Sequence, residues 1–303
     1  MNHRPPRTPR RIGLGCMALT GIYGPVSRDA AIEMVRRALD LGVVHFDTAE
    51  LYGPYLNEEL LSDALGRGRM RVEIATKFGY RIQDGKIAGL DSRPHSIRSA
   101  VEGSLRRLRR DHVDILYQHR PDPKVPIEDV VGTMSELVRE GKVRTLGLSS
   151  TDLPTLRRAS AANTISFVQN EFSLIQHDPE NSLLPGLLGT PVEFVCYSPL
   201  GRGILAGRSV KARAPTDHRS KDVRFQPERL AELADRLAPL WQIAASRSVP
   251  PSTIALAWLL AKTPTIRVIP GARSVEQLEA NVCSHDIALT ADEMAALNVI
   301  GGT

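Results

Sequence analysis

The sequence predicts a single parallel (β/α)8 barrel, and three observations carry that prediction. Eight short apolar or β-branched runs alternate with stretches whose apolar residues recur at helical spacing. The runs are continuously apolar rather than alternating, as expected for parallel strands buried on both faces. No Pro/Gly/Ser-rich linker divides the 303 residues, so one barrel of roughly 250 residues plus insertions is preferred to two domains.

The elements follow in order. Residues 12–16 form the first strand, and 28–41 a helix with Ala31, Ile32, Val35, Ala38 and Leu39 on one face. Strand two is 43–46, followed by a helix near 57–65; strand three is 72–76, followed by a helix over 96–108. Strands four (113–117) and five (143–148) precede helices at 127–139 and 153–161; strands six, seven and eight are 165–168, 192–196 and 266–269. The run IALAWLLA, 254–261, is far shorter than the roughly 20 residues that cross a bilayer and reads as a buried helix. The last helix is 291–299; only four residues follow it, which implies an open mouth. Residues 1–11 read as a flexible basic tail, and 201–226 as a long loop of the kind that clamps a ligand.

Composition narrows the function. The chain is 42% apolar and 24% charged, ordinary for a folded globular protein. The net charge of +5 is partly carried by Arg4, Arg7, Arg10 and Arg11, and aromatics are only 5%, so a nucleic-acid surface is not expected. A small anionic ligand accounts for the charge equally well. No apolar segment of signal-peptide length follows the basic N-terminus, which points to the cytoplasm and away from membranes. Cys16, Cys196 and Cys283 lack disulfide or metal spacing, and no histidine pair of the HxH kind argues for a metal hydrolase.

In a barrel of this kind, chemistry sits at the C-terminal ends of the strands. The residues there are Asp47, Lys77, His119, Ser149, Gln169, Tyr197 and then Pro270 and Gly271. Singly, Asp47 reads as a turn former, His119 as a satisfied structural histidine and Tyr52 as a packing aromatic. Lys77 is different: it is one of seven lysines against 32 arginines, and at the top of VEIATK its ammonium needs a carboxylate, which Asp47 can supply. Together the four propose a reaction. Tyr52 protonates a carbonyl oxygen, Lys77 lowers its pKa, Asp47 holds Lys77 charged, and neutral His119 orients the substrate. This is equipment for reducing a carbonyl by hydride transfer.

From Gly13 to about Asn298 the chain resembles the aldo-keto reductases, in their longer-loop bacterial branch. The resemblance rests on FDTAELYGPYLNEELL (46–61), ATKFG (75–79), DILYQHRPDP (114–123), GKVRTLGLSS (141–150), QNEFSL (169–174), YSPLGRGIL (197–205) and IPGARSVEQLEAN (269–281), in that order. It implies the catalytic set Asp47, Tyr52, Lys77 and His119. It also implies a nicotinamide cofactor: Tyr197 stacks on the ring, while Ser149 and Gln169 hold its carboxamide beside Met17 and Asp47. Ser198, Leu200, Gly201 and Gly203 approach the pyrophosphate, with Arg202 or Arg208 adding charge. Gly271, Arg273, Gln277 and Asn281 surround the adenosine, and Arg273 would bind a 2′-phosphate, favouring NADPH with NADH as the weaker alternative. Gly271 and Gln277 replace the lysine and arginine of many relatives.

The expected substrate pocket is Ile22, Tyr23, Tyr55, Phe78, Tyr80, Arg120 and Phe172, a mostly aromatic mouth with one cation, suited to an apolar aldehyde, ketone or quinone, with Arg120 as the partner of any acidic group it carries. Two further readings are a nucleotide-sensing regulatory subunit of the same fold and an enzyme working mainly as an alcohol or sugar dehydrogenase. The sequence does not fix the oligomeric state.

Overall fold

The computed structural model describes residues 11–66, 72–207 and 217–301. Its frame is eight parallel strands: β1 (Leu14–Gly15), β2 (His45–Asp47), β3 (Glu73–Phe78), then, after a two-stranded insertion, β6 (Val113–Gln118), β7 (Val143–Ser149), β8 (Phe167–Glu171), β9 (Glu193–Tyr197) and β10 (Ile266–Val268). Each pairs with the next in parallel register. The sheet closes on itself, because Ile12 bridges Val268, Gly13 N donates to Val268 O at 2.8 Å and Gly15 N donates to Pro270 O at 3.1 Å. This is the predicted (β/α)8 barrel.

The helices are α1 (Arg28–Asp40), α2 (Leu56–Leu65), α3 (Pro94–Leu108), α4 (Ile127–Arg139), α5 (Leu153–Ala162), the single turns α6 (Asp178–Asn181) and α7 (Leu184–Leu187), α8 (Pro227–Arg236), α9 (Ala238–Ser246), α10 (Pro251–Lys262), α11 (Val275–Cys283) and α12 (Ala291–Asn298). Those expected near 28–41, 57–65, 96–108, 127–139, 153–161 and 291–299 lie within two residues of their predicted limits. The apolar run at 254–261 is indeed the buried helix α10.

Strand alternation sorts side chains into two layers. Ala75, Ile115, Tyr117, Phe167, Val195 and Ile269 point into the barrel and plug it. Phe46, Ile74, Leu116, Leu148, Val168 and Phe194 point outward into the shell shared with the helices. Position 147 is in the inward phase, and it is glycine where a Cβ would collide with the Tyr117 ring. At the floor, Arg267 bridges Glu193 of β9 and Glu73 of β3, and Glu73 also meets His45 Nδ1 at 2.7 Å.

Three features depart from the sequence reading. A hairpin, β4 (Tyr80–Gln83) and β5 (Lys86–Leu90), follows β3, where no regular structure was expected. Asp84 and Gly85 both adopt positive φ, 52° and 70°, the backbone of a tight two-residue turn. The 201–226 segment, read as irregular, contains short 3-10 turns at Gly201–Ala206, His218–Lys221 and Val223–Phe225. Arg11 is not part of a loose tail: its guanidinium donates to the carbonyls of Leu260, Thr263 and Ile266, fastening it to the end of α10. Residues 1–10 lie outside the described residues. Among the described residues no helix is long and apolar enough to cross a membrane, and no cluster of His, Cys, Asp and Glu could hold a metal ion.

Candidate active site

The inward layer continues upward from the plug. Asp47, Lys77, His119, Ser149, Gln169 and Tyr197 occupy odd positions on their strands or just beyond them, in phase with Ala75, Tyr117 and Val195, so strand periodicity alone gathers them at one mouth. All but Tyr197 are buried.

Lys77 organises the centre. Its Nζ donates to Asp47 Oδ1, to the Thr48 carbonyl at 2.9 Å and to the Tyr52 hydroxyl at 3.3 Å. Three N–H groups thus meet three acceptors, the full capacity of an ammonium. Asp47 is held on its other side by Gln169 Nε2, which donates to Oδ2 at 2.7 Å. Tyr52 arrives from the segment between β2 and α2. Its oxygen accepts from Lys77, which leaves its own O–H free to turn toward the mouth. The His119 ring stands edge-on to Tyr52, 5.9 Å between centroids, and to Tyr80 at 5.1 Å.

Burial sets the protonation states. It pushes the His119 imidazole well below its usual pKa, helped by Lys77 and Arg120, so the ring is neutral. Burial lowers Lys77, which Asp47 opposes by attraction and hydrogen bonding. Tyr52 departs from expectation. Burial, reinforced by Asp47, raises its hydroxyl well above the ordinary value, with Arg120 pulling the other way. The ammonium expected to lower it is itself buried, and its charge is balanced by Asp47 at contact distance.

Around this centre, Ser149 Oγ is buried with no hydrogen-bond partner among the described residues. The Tyr197 hydroxyl shares a hydrogen bond with Ser150 Oγ at 3.2 Å. Ser150 and Ser198 both hold positive φ, 53° and 48°, a strained backbone of the sort that collects at ligand-binding turns. Met17 lies in the 3-10 turn Cys16–Thr20 that follows β1. Leu200, Gly201 and Gly203 form the turn after β9; Gly201 has φ 55° and no room for a Cβ beside Ile175. Arg202 pairs with Asp222 at 3.1 Å, while Arg208 lies outside the described residues. Sequence reasoning missed the arginines that pin this segment: Arg219 pairs with Asp217 and donates to the Arg202 carbonyl at 3.0 Å, and Arg224 joins Asp222 to Glu171.

A second cleft lies at the start of α11, a cavity of about 140 Å³ lined by Leu19, Val26, Glu33, Met34, Arg273 and Ser274. Gln277 braces the Arg273 backbone, its Oε1 accepting from Arg273 N at 2.9 Å, and Asn281 Nδ2 donates to the Gly271 carbonyl at 3.4 Å. The Arg273 guanidinium passes over Gly24, where an added Cβ would lie 3.0 Å from it.

The expected substrate pocket is only partly assembled. Tyr80 and Arg120 stand at the mouth beside His119; Tyr23 packs its ring 4.8 Å from the Arg219 guanidinium, and Ile22 is exposed at the rim. Phe78, Phe172 and Tyr55 are elsewhere. With Lys77 pointing in, Phe78 must point out, and it is buried in the shell. Phe172 is fully buried against Phe194 and Trp258 of α10. Tyr55 lies over Arg107 of α3, 4.5 Å away.

A buried pair of carboxylates behind the centre gave no signal in the sequence. Glu58 accepts from Thr76 Oγ1 and Arg107 Nε, both at 2.6 Å. Glu50, buried nearby, has its pKa pushed up to about 7 by burial and by Glu58.

Comparison with known proteins bears on the family and the fold. The model of the aldo/keto reductase family matches residues 11–301. A probable aldo-keto reductase of Glycine max is 36% identical over 94% of this chain and 83% of its own length. Among solved structures, a glycerol dehydrogenase of Gluconobacter oxydans superposes with a TM-score of 0.86 at 29% identity, covering 96% of this chain and 90% of that one. An aldo-keto reductase of Klebsiella pneumoniae, solved with NADP and acetate, gives 0.73 at 26% identity over 95% and 90%.

Proposed function

This chain belongs to the aldo/keto reductase family of oxidoreductases, and on that premise we propose that it is an NADPH-dependent carbonyl reductase with Tyr52 as its general acid. The observation that carries the reading is the hydrogen-bonded chain Gln169–Asp47–Lys77–Tyr52, which ends on a hydroxyl that accepts from Lys77 and so keeps its own proton to give. The residues fit a nicotinamide: the Ser149 Oγ, partnerless among the described residues, suits its carboxamide, and the half-buried Tyr197 ring suits stacking. Bound there, the cofactor supplies the hydride.

The chain's own residues supply the rest. Neutral His119 donates a hydrogen bond to the carbonyl oxygen and aims it at Tyr52. A tyrosine with a raised pKa keeps its proton in the resting site and releases it only as that oxygen becomes alkoxide-like. Lys77 then faces a tyrosinate and stabilises it at the distance it already holds. The same groups run the reverse reaction, and likeness to a glycerol dehydrogenase supports alcohol oxidation as the second reading.

The 2′-phosphate of NADPH falls to Arg273. The test is fluorescence titration with NADPH and NADH, followed by a panel of aldehydes and ketones with absorbance recorded. Tight NADPH binding with consumption supports the reductase; binding without consumption by any compound transfers weight to a regulatory subunit. Arg273→Ala should weaken NADPH binding about tenfold or more while barely changing NADH binding; equal losses would remove the phosphate assignment.

A further inference from the structure

Arg120 brings a positive charge to the mouth that no side chain among the described residues neutralises. It follows His119 at the top of β6 and is half-buried. Its Nη1 donates to the His119 carbonyl at 2.9 Å and to Ser150 Oγ, and its guanidinium carbon lies 5.7 Å from the Tyr197 ring centroid. All of these partners are neutral. The other arginines of the mouth are different: Arg202, Arg219 and Arg224 each hold an aspartate.

A partly desolvated cation without a counter-ion is costly in the empty site, and the cost is relieved when an anion arrives. The guanidinium leaves most of its five N–H donors uncommitted, in the fork geometry that matches a carboxylate. Arg120 directly follows His119, and its charge acts on both the His119 ring and the Tyr52 hydroxyl, so one small molecule can meet all three.

Resting on the carbonyl-reductase reading, we propose that the substrate is an oxo acid, an aldehyde or ketone whose carboxylate is held by Arg120 while its carbonyl lies between Tyr52 and His119. The chemistry is that of carbonyl reduction alone: hydride to the carbonyl carbon, proton from Tyr52 to the oxygen, the carboxylate unchanged. Arg120 is then the specificity residue of the site.

The test compares kcat/KM for 4-carboxybenzaldehyde and its neutral isostere 4-carbamoylbenzaldehyde, and for succinic semialdehyde and butanal, all with NADPH. The wild type should favour the carboxylated member of each pair about tenfold or more, chiefly through KM. Arg120→Gln should bring the ratio near one, and Arg120→Lys should restore part of it. A second readout is independent of turnover: benzoate should bind the NADPH-saturated wild type more tightly than Arg120→Gln, by calorimetry. A wild-type ratio near one, or a variant that loses equally on both members, overturns the proposal. So does a variant whose main defect is NADPH affinity, which would assign Arg120 to the cofactor. If no carbonyl compound is reduced at all, the reductase reading falls and this proposal with it. Turnover of the neutral aldehydes by the wild type tells that case from the others.

Discussion

The hydroxyl of Tyr52 is the group on which the proposed chemistry turns, and its surroundings predict how it fails. Removing the oxygen leaves the ring edge against His119 but no proton to give. Tyr52→Phe should therefore lower kcat by about 100- to 10,000-fold with NADPH affinity nearly unchanged; stopped-flow single turnovers at saturating cofactor would show whether the loss lies in chemistry. Glu50 makes a different prediction. Its carboxyl is held near 7 in the folded chain against 4.5 for the free group, so between those values the native state binds more protons than the unfolded one. Stability from this site then falls as pH rises from about 4.5 to about 7 and is flat above. Glu50→Gln should be more stable than wild type by about 1–3 kcal/mol at pH 8, with the gain vanishing near pH 4.5. Urea melts at the two pH values decide it, and a gain of equal size at both would rule out titration as its source.

At the scale of elements, strand phase decides both what was legible and what was not. Asp47, Lys77, His119, Ser149, Gln169 and Tyr197 could be found because a strand's last residue is readable from its apolar run. Phe78 and Phe172 were misplaced because their neighbourhood at strand ends was read without their parity: each is one residue out of phase with the inward set. The hairpin β4–β5 was readable, since Asp84–Gly85 lies between Ile82 and Ile87 in a short alternating stretch, the usual mark of a two-residue turn. Glu50, Glu58 and Arg107 were not readable, because three residues from separate segments meet only after the helices pack. The inward phase also fixes Gly147. Gly147→Ala would drive a methyl group into Tyr117 in the barrel plug, and should cost about 1–3 kcal/mol by thermal melting; an unchanged Tm would mean that the plug can shift.

For the whole molecule, the critical line is the seam where β1 meets β10. It is narrow: β1 has two residues, Gly13 and Gly15 donate to Val268 and Pro270, and Val268 N donates back to the Arg11 carbonyl. A Cβ on Gly15 would sit 2.6 Å from the Ile269 carbonyl oxygen, so Gly15→Ala forces the seam apart. Because closure joins the first described segment to the last strand, the loss of about 1–3 kcal/mol should appear as one lowered transition for the whole chain. A separate early transition with the main one unmoved would show that the seam opens independently. The sequence made the barrel visible through its eight runs, but closure is a pairing across some 250 residues of chain, and no local pattern announces it.

The plugged interior has one more consequence. With Tyr117, Phe167, Val195 and Ile269 filling the axis and Arg267 bridging the floor, the barrel is a blind-ended cup. Whatever reaches Tyr52 must leave by the way it came. On the proposed reading, a cofactor held by Tyr197 and Ser149 would enter before the substrate and leave after the product, and turnover would be a queue at a single door.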